Sequence, residues 1–179
     1  MRTVFCTLTM VFALSAALTG RGAAESLGEF TPLAVPRPAP ELAFTTLGGE
    51  ARRLADFRGQ TVLVNLWATW CGPCVEEMPS LDRLQQKLGP SLTIIALSED
   101  RRGAALVDPF LAKIRIKSLS VYLDPKNAAL PTFGVEGLPT SFLIDRAGDI
   151  VGFLEGAADW DSDAMLTIVD RYLAEPPKS

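Results

Sequence analysis

A chain of 179 residues, 48% apolar and 21% charged, can bury a core of its own without disulfide staples, and its composition excludes a long disordered tract. Lys and Arg number 17 against 21 Asp and Glu, for a formal charge of −4 and a pI near 4.9, which argues against a nucleic-acid surface or a polybasic membrane patch. Three cysteines and no histidine leave too few ligands for a four-coordinate zinc site.

The chain opens on what reads as an export signal. Arg2 supplies a positive start, Val4 to Leu18 is an apolar stretch of 15 residues, and Gly22-Ala23-Ala24 offers small residues for cleavage after Ala24. Residues 1–24 are expected to be a signal peptide or, uncleaved, a membrane anchor, although 15 residues are short against the roughly 20 that span a bilayer. Either way the folded part is expected in the periplasm or cell envelope. Residues 25–40 carry Pro32, Pro36, Pro38 and Pro40 and read as a Pro-rich tether, with the folded domain over residues 41–175.

Within that domain, Ala43 to Thr46 and Ala51 to Leu54 flank a Gly-Gly turn and predict a β-hairpin. Thr61 to Trp67 is an almost continuous apolar run, as a strand covered on both faces requires. A helix is expected from Cys71 to Leu88, because Val75, Met78, Leu81, Leu84 and Leu88 recur at helical spacing; Pro79 should kink it and Gly89-Pro90 end it. Leu92 to Leu97 predicts a second buried strand, residues 103–114 a helix interrupted by Pro109, Val121 to Leu123 a short strand, and residues 127–133 a helical turn. Ser141 to Ile144 and Ile150 to Leu154 form a hairpin around Asp145-Arg146-Ala147-Gly148-Asp149. A last helix starts at Asp161 or Asp163 with an aspartate N-cap and runs to Leu173, and Trp160 ahead of it reads as a hydrophobic staple. This order of strands and helices predicts an α/β fold with a mixed sheet, its first two long strands parallel.

Cys6 lies in the apolar leader, so the exported domain keeps Cys71 and Cys74 alone. Two cysteines separated by two residues make a redox couple or half of a metal site, and the metal reading fails for want of further ligands. The sequence Trp70-Cys71-Gly72-Pro73-Cys74 follows a buried strand and opens a helix. A thiol there faces unpaired backbone N–H groups and the positive end of the helix dipole, which favours its thiolate. Cys71 is therefore expected to be the nucleophile and Cys74, one turn on, the shielded resolving thiol. Gly72 permits close approach of a partner chain, Pro73 pre-sets the first helical turn, and Trp70 offers an apolar platform.

The run from Val62 to Cys74, then Glu77 and Pro79, together with Leu47-Gly48-Gly49, Val121-Tyr122-Leu123-Asp124-Pro125 and Phe133 to Asp145 around Leu138-Pro139-Thr140, resembles the TlpA/ResA-like branch of the thioredoxin superfamily over residues 41–173. The resemblance implies a thioredoxin fold: a central mixed sheet flanked by helices, an N-terminal hairpin and an insertion before a cis-proline hairpin. It implies a cis Leu138–Pro139 bond beside the disulfide, a geometry proline tolerates and other residues do not. The Leu138 backbone would then be free to pair with a substrate peptide. It also implies that Glu77, three residues after Cys74, serves the cysteine pair. A partly desolvated carboxyl there would have a raised pKa and could carry protons to and from Cys74. The buried acid of ordinary thioredoxin is matched here by Asn65, which cannot titrate.

The function so implied is an exported protein-disulfide reductase with no cofactor beyond the Cys71–Cys74 couple and no metal. Its expected substrates are envelope proteins such as apocytochrome c or a copper-site protein, and its electrons come from a membrane thiol donor. Two other functions use similar residues. Paired thiolates suit Cu(I), but copper-delivery relatives on this fold have a longer cysteine spacing and a histidine. A peroxiredoxin-like peroxidase needs a Pro and Thr pattern that Trp67-Ala68-Thr69-Trp70 lacks. Gly72-Pro73 is the thioredoxin-like dipeptide and favours the reducing direction.

Overall fold

The computed structural model describes residues 28–174. The export signal expected over residues 1–24 lies outside the described residues. The strands are β1 (Thr31–Pro38), β2 (Ala43–Thr46), β3 (Ala51–Arg53), β4 (Thr61–Trp67), β5 (Leu92–Ser98), β6 (Ser120–Leu123), β7 (Thr140–Ile144) and β8 (Asp149–Glu155). The helices are α1 (Gly72–Leu88), α2 (Ala104–Ile114), α3 (Ala129–Phe133) and α4 (Asp163–Ala174).

The strands form one mixed sheet in the order β1-β8-β7-β4-β5-β6-β2-β3. β4 lies inside it, parallel to β5 and antiparallel to β7, and all seven of its residues are buried. The hairpin β2–β3 extends the β6 edge, and β6 with α3 is the insertion ahead of the β7–β8 hairpin.

Alternation along β4 divides the core between the two faces. Val62, Val64 and Leu66 pack with Phe44, Ile95, Leu97, Phe133 and Phe142. Leu63 and Trp67 pack on the opposite face with Met78, Leu81 and Leu84 of α1, Val107 of α2 and Val169 of α4. Asn65 falls between Leu63 and Trp67, so its side chain lies under α1. α1 continues through Pro79 as one element and ends at Gly89, whose φ of 52° with ψ of −127° only glycine adopts without strain.

Two expectations need correction. Residues 31–38 are an edge strand rather than a tether: β1 pairs antiparallel with β8, with an irregular register between Pro32 and Arg37. Proline cannot donate to a ladder, but an edge strand pairs on one side only, so three prolines are tolerated there. Gly152 of β8 makes room, since a Cβ at that position would overlap the Phe30 ring and Thr31 O. The Phe30 ring lies 6.2 Å from that of Tyr172 on α4, so the folded unit begins ahead of residue 41. The cap of α4 is also not an aspartate. Ser162 Oγ accepts from Met165 N at 3.4 Å, while Asp161 turns to Arg83 of α1, with both oxygens accepting at 2.8 Å.

Candidate active site

β4 carries the chain to the edge of the sheet where β5 ends and β7 begins, since Trp67 is opposite Ser98 and Leu66 opposite Thr140. Cys71 is the N-cap of α1, and its Sγ accepts from Cys74 N at 3.3 Å. The two cysteines are joined as a disulfide, with Cα atoms 5.3 Å apart. Both cysteines are buried, Cys71 keeping 6% of its surface exposed and Cys74 none. Trp70 projects from the loop, 71% exposed, and a Cβ on Gly72 would meet nothing within 4 Å. Pro73 fills the first turn of α1, where a missing N–H leaves no helical bond unmade. The Leu138–Pro139 bond is cis, and Pro139 O accepts from Gly156 N at 2.9 Å, fixing the bend that leads into β7. Leu138 packs against the core cluster that contains both cysteines.

Glu77 shares a helical face with Cys74, three residues on, and is only 3% exposed. Three donors hold its carboxyl. Asn65 Nδ2 donates to Oε1 at 2.8 Å, while Ala158 N and Trp160 Nε1 donate to Oε2, each at 3.0 Å. Burial pushes its pKa up to about 7, against the downward pull of those three bonds. Glu76, one residue earlier, is exposed as expected.

Trp160 is no staple. It is buried to 1%, its indole N–H is one of the donors to Glu77, and its backbone N donates to Ser80 Oγ at 3.0 Å. Periodicity cannot reveal a contact between side chains 83 residues apart.

The sequence reading also passed over Glu99 and Asp100. Asp100 accepts from Thr69 N at 2.9 Å and Thr69 Oγ1 at 2.8 Å, pinning the loop that presents Trp70 and Cys71. Glu99 is buried, with Oε2 accepting from Asn127 Nδ2 at 3.0 Å, and burial raises its pKa to about 7. A readable signal existed: adjacent acids directly after a buried strand parallel to β4 must emerge at the same sheet edge as the cysteines.

A family profile described as Redoxin matches residues 34–166. The chain belongs to the Redoxin family. Among curated proteins it is 38% identical over 121 residues to thiol-disulfide oxidoreductase ResA of Bacillus cereus (strain ATCC 10987), covering 67% of this chain and 69% of that one. ResA of Geobacillus thermodenitrificans is 34% identical over 131 residues, covering 72% and 73%. Among solved structures, a Chlorobium tepidum protein described as thiol:disulfide interchange protein DsbE superposes with a TM-score of 0.71 at 31% identity, covering 79% of this chain and 99% of that one. The fold is thioredoxin-like, and the chain is a TlpA/ResA-like thiol–disulfide oxidoreductase whose CxxC pair is Cys71 and Cys74. Among the described residues no helix is long and apolar enough to cross a membrane.

Proposed function

We propose that this Redoxin-family chain works outside the cytoplasm as a reductant of protein disulfides, with Cys71 attacking, Cys74 resolving and Glu77 moving the proton. The observation that carries the reading is the Cys71–Cys74 pair at the N-terminus of α1 with a buried carboxyl one turn further along.

The Cys71 thiolate attacks one sulfur of the substrate disulfide. A Cys71–substrate disulfide forms, and the other substrate sulfur leaves as a thiolate that takes up a proton. Cys74, having given its proton to Glu77, then attacks the Cys71 sulfur. The Cys71–Cys74 bond forms, the second substrate thiolate leaves and is protonated, and two electrons have passed from the dithiol to the substrate. With a pKa of about 7, Glu77 is half charged near neutrality and can both accept and return a proton. In this reading Trp70, Gly72, Pro73, Leu138 and cis Pro139 form the surface for the substrate chain, with Leu138 offering its backbone for strand-like pairing. No cofactor enters this cycle.

Family resemblance extends the reading to apocytochrome c or a copper-site protein of the envelope as substrate, and to a membrane thiol as electron donor. The leader over residues 1–24 supports export as a cleaved or anchored protein. Equilibrating the protein with thiol–disulfide buffers tests the direction. A potential near thioredoxin's roughly −270 mV is expected, and one near the roughly −120 mV of DsbA would overturn the reducing assignment.

A further inference from the structure

We propose that the two sides of Cys71 form one electrostatically polarised docking surface, which selects a cysteine-bearing peptide segment with a carboxylate on one side of its cysteine and a basic group on the other. The inference rests on the reading of Cys71 as the attacking thiol.

Sheet order places two grooves on the two flanks of the β4–α1 junction that carries Cys71. β4 leads to Cys71 with β5 on one flank and β7 on the other, and the end of β5 meets the same sheet edge as the start of β7. On the β5 flank a groove of about 520 Å³ is lined by Trp70, Glu99, Arg101, Arg102, Leu106 and Leu130 among others. On the β7 flank a groove of about 450 Å³ runs along Gly134 to Thr140 and includes Glu136 and Glu155.

The lining of the β5 groove also holds two buried carboxyls, Glu99 and Asp100, but the exposed charges of the two grooves are opposite. Arg101 and Arg102 are exposed, and among the described residues neither pairs with an acid. Arg101 Nε donates to Asn127 Oδ1 at 3.0 Å, which holds that guanidinium at the groove wall. Glu136 and Glu155 are exposed too, and neither pairs with a base among the described residues. A protein of net charge −4 thus keeps two unpaired cations on one side of its nucleophile and two unpaired anions on the other. Such an arrangement orients a partner of complementary polarity.

The β5 groove is also shaped for a peptide. Trp70, which directly precedes Cys71, is one of only two large hydrophobic side chains left exposed among the described residues, and with Leu106 and Leu130 it gives the groove an apolar wall. Glu99 in the same lining is 2% exposed, and its Oε1 is buried without a hydrogen-bond partner.

Two peptides of identical composition test the proposal: Asp-Leu-Cys-Leu-Lys and Lys-Leu-Cys-Leu-Asp, each with its cysteine capped as a pyridyl mixed disulfide. The reduced full chain is mixed with each and the release of thiopyridone followed. One charge order is expected to react roughly fivefold faster than the other, because several exposed ion pairs are made in one orientation and lost in the reverse. In the double variant Arg101→Glu/Arg102→Glu the preference is expected to vanish or invert. Equal rates for the two orders in the parent, or an unchanged preference in the variant, overturns the proposal. Bis-hydroxyethyl disulfide, small and neutral, separates the two levels of inference. If the parent reduces it yet shows no charge-order preference, the docking reading alone fails; if the parent reduces neither it nor the peptides, the reductase reading fails as well.

Discussion

Replacing Glu77 with glutamine removes a proton-binding group from the interface between α1 and the sheet while keeping its shape. The folded protein raises this carboxyl from 4.5 to about 7, so between those values the native state holds a proton that the unfolded chain has lost. Stability contributed by that proton is complete below about pH 4.5 and is lost as pH rises through about 7. The displacement corresponds to roughly 3 kcal/mol, at 1.36 kcal/mol for each pH unit. Glutamine has no such dependence. Its oxygen can accept from Ala158 N and Trp160 Nε1 as Oε2 does now. Its amide then faces Asn65, whose Oδ1 is buried without a partner and can accept once the Asn65 amide turns. Ser141 Oγ, now accepting from Asn65 Nδ2 at 2.9 Å, is a hydroxyl and suits either orientation. Urea unfolding of the oxidised parent and Glu77→Gln proteins at matched pH gives the difference directly. Glu99 titrates alike in both and cancels. Glu77→Gln is expected to gain on the parent by roughly 3 kcal/mol between about pH 4.5 and pH 8. A difference that stays flat across that range would refute the raised Glu77 pKa and the proton transfer built on it.

Trp160→Phe deletes the indole donor to Glu77 Oε2 and should raise the Glu77 pKa further above 7, at a cost of about 1 kcal/mol; an unmoved carboxyl titration by carbon NMR would refute that support. Asn65→Asp replaces a donor with a second carboxyl against Glu77, so the pair should titrate in two steps, the upper one above the parent's, and destabilise the fold increasingly at high pH. A single unshifted step would contradict the shared site. Residues 1–30 fused to a reporter that works only outside the cytoplasm should give activity, and retention after a carbonate wash would separate an anchor from a cleaved leader; an inactive fusion would contradict export.

The sequence made the centre of the molecule legible because its signals there are local. A fully apolar β4, the cysteines at the following helix start, and the stripe from Met78 to Leu84 each follow from neighbours along the chain, and their elements form where expected. Asn65 beneath α1 was readable from alternation with Leu63 and Trp67. β1 was obscured because its prolines resemble a tether, and only its pairing with β8, more than 100 residues away, makes it a strand. The setting of Glu77 depends on Asn65, Ala158 and Trp160, whose separations of 12, 81 and 83 residues carry no periodic signature. Glu99 was missed for a different reason: position marked the right sheet edge, but burial and the lack of a partner at Oε1 are properties of the packed molecule.

Trapping the covalent intermediate tests most directly whether Cys71 and Cys74 divide the exchange between them. In Cys74→Ser, Cys71 retains its place at the start of α1 and can attack a substrate disulfide, but no resolving thiol follows, so the mixed disulfide persists. Envelope extracts exposed to this variant should yield reducible adducts through Cys71, which mass spectrometry would identify. Cys71→Ser should yield far fewer, because Cys74 is wholly buried. Equal trapping by the two variants, or none by Cys74→Ser, would contradict the assignment of Cys71 as the attacking thiol.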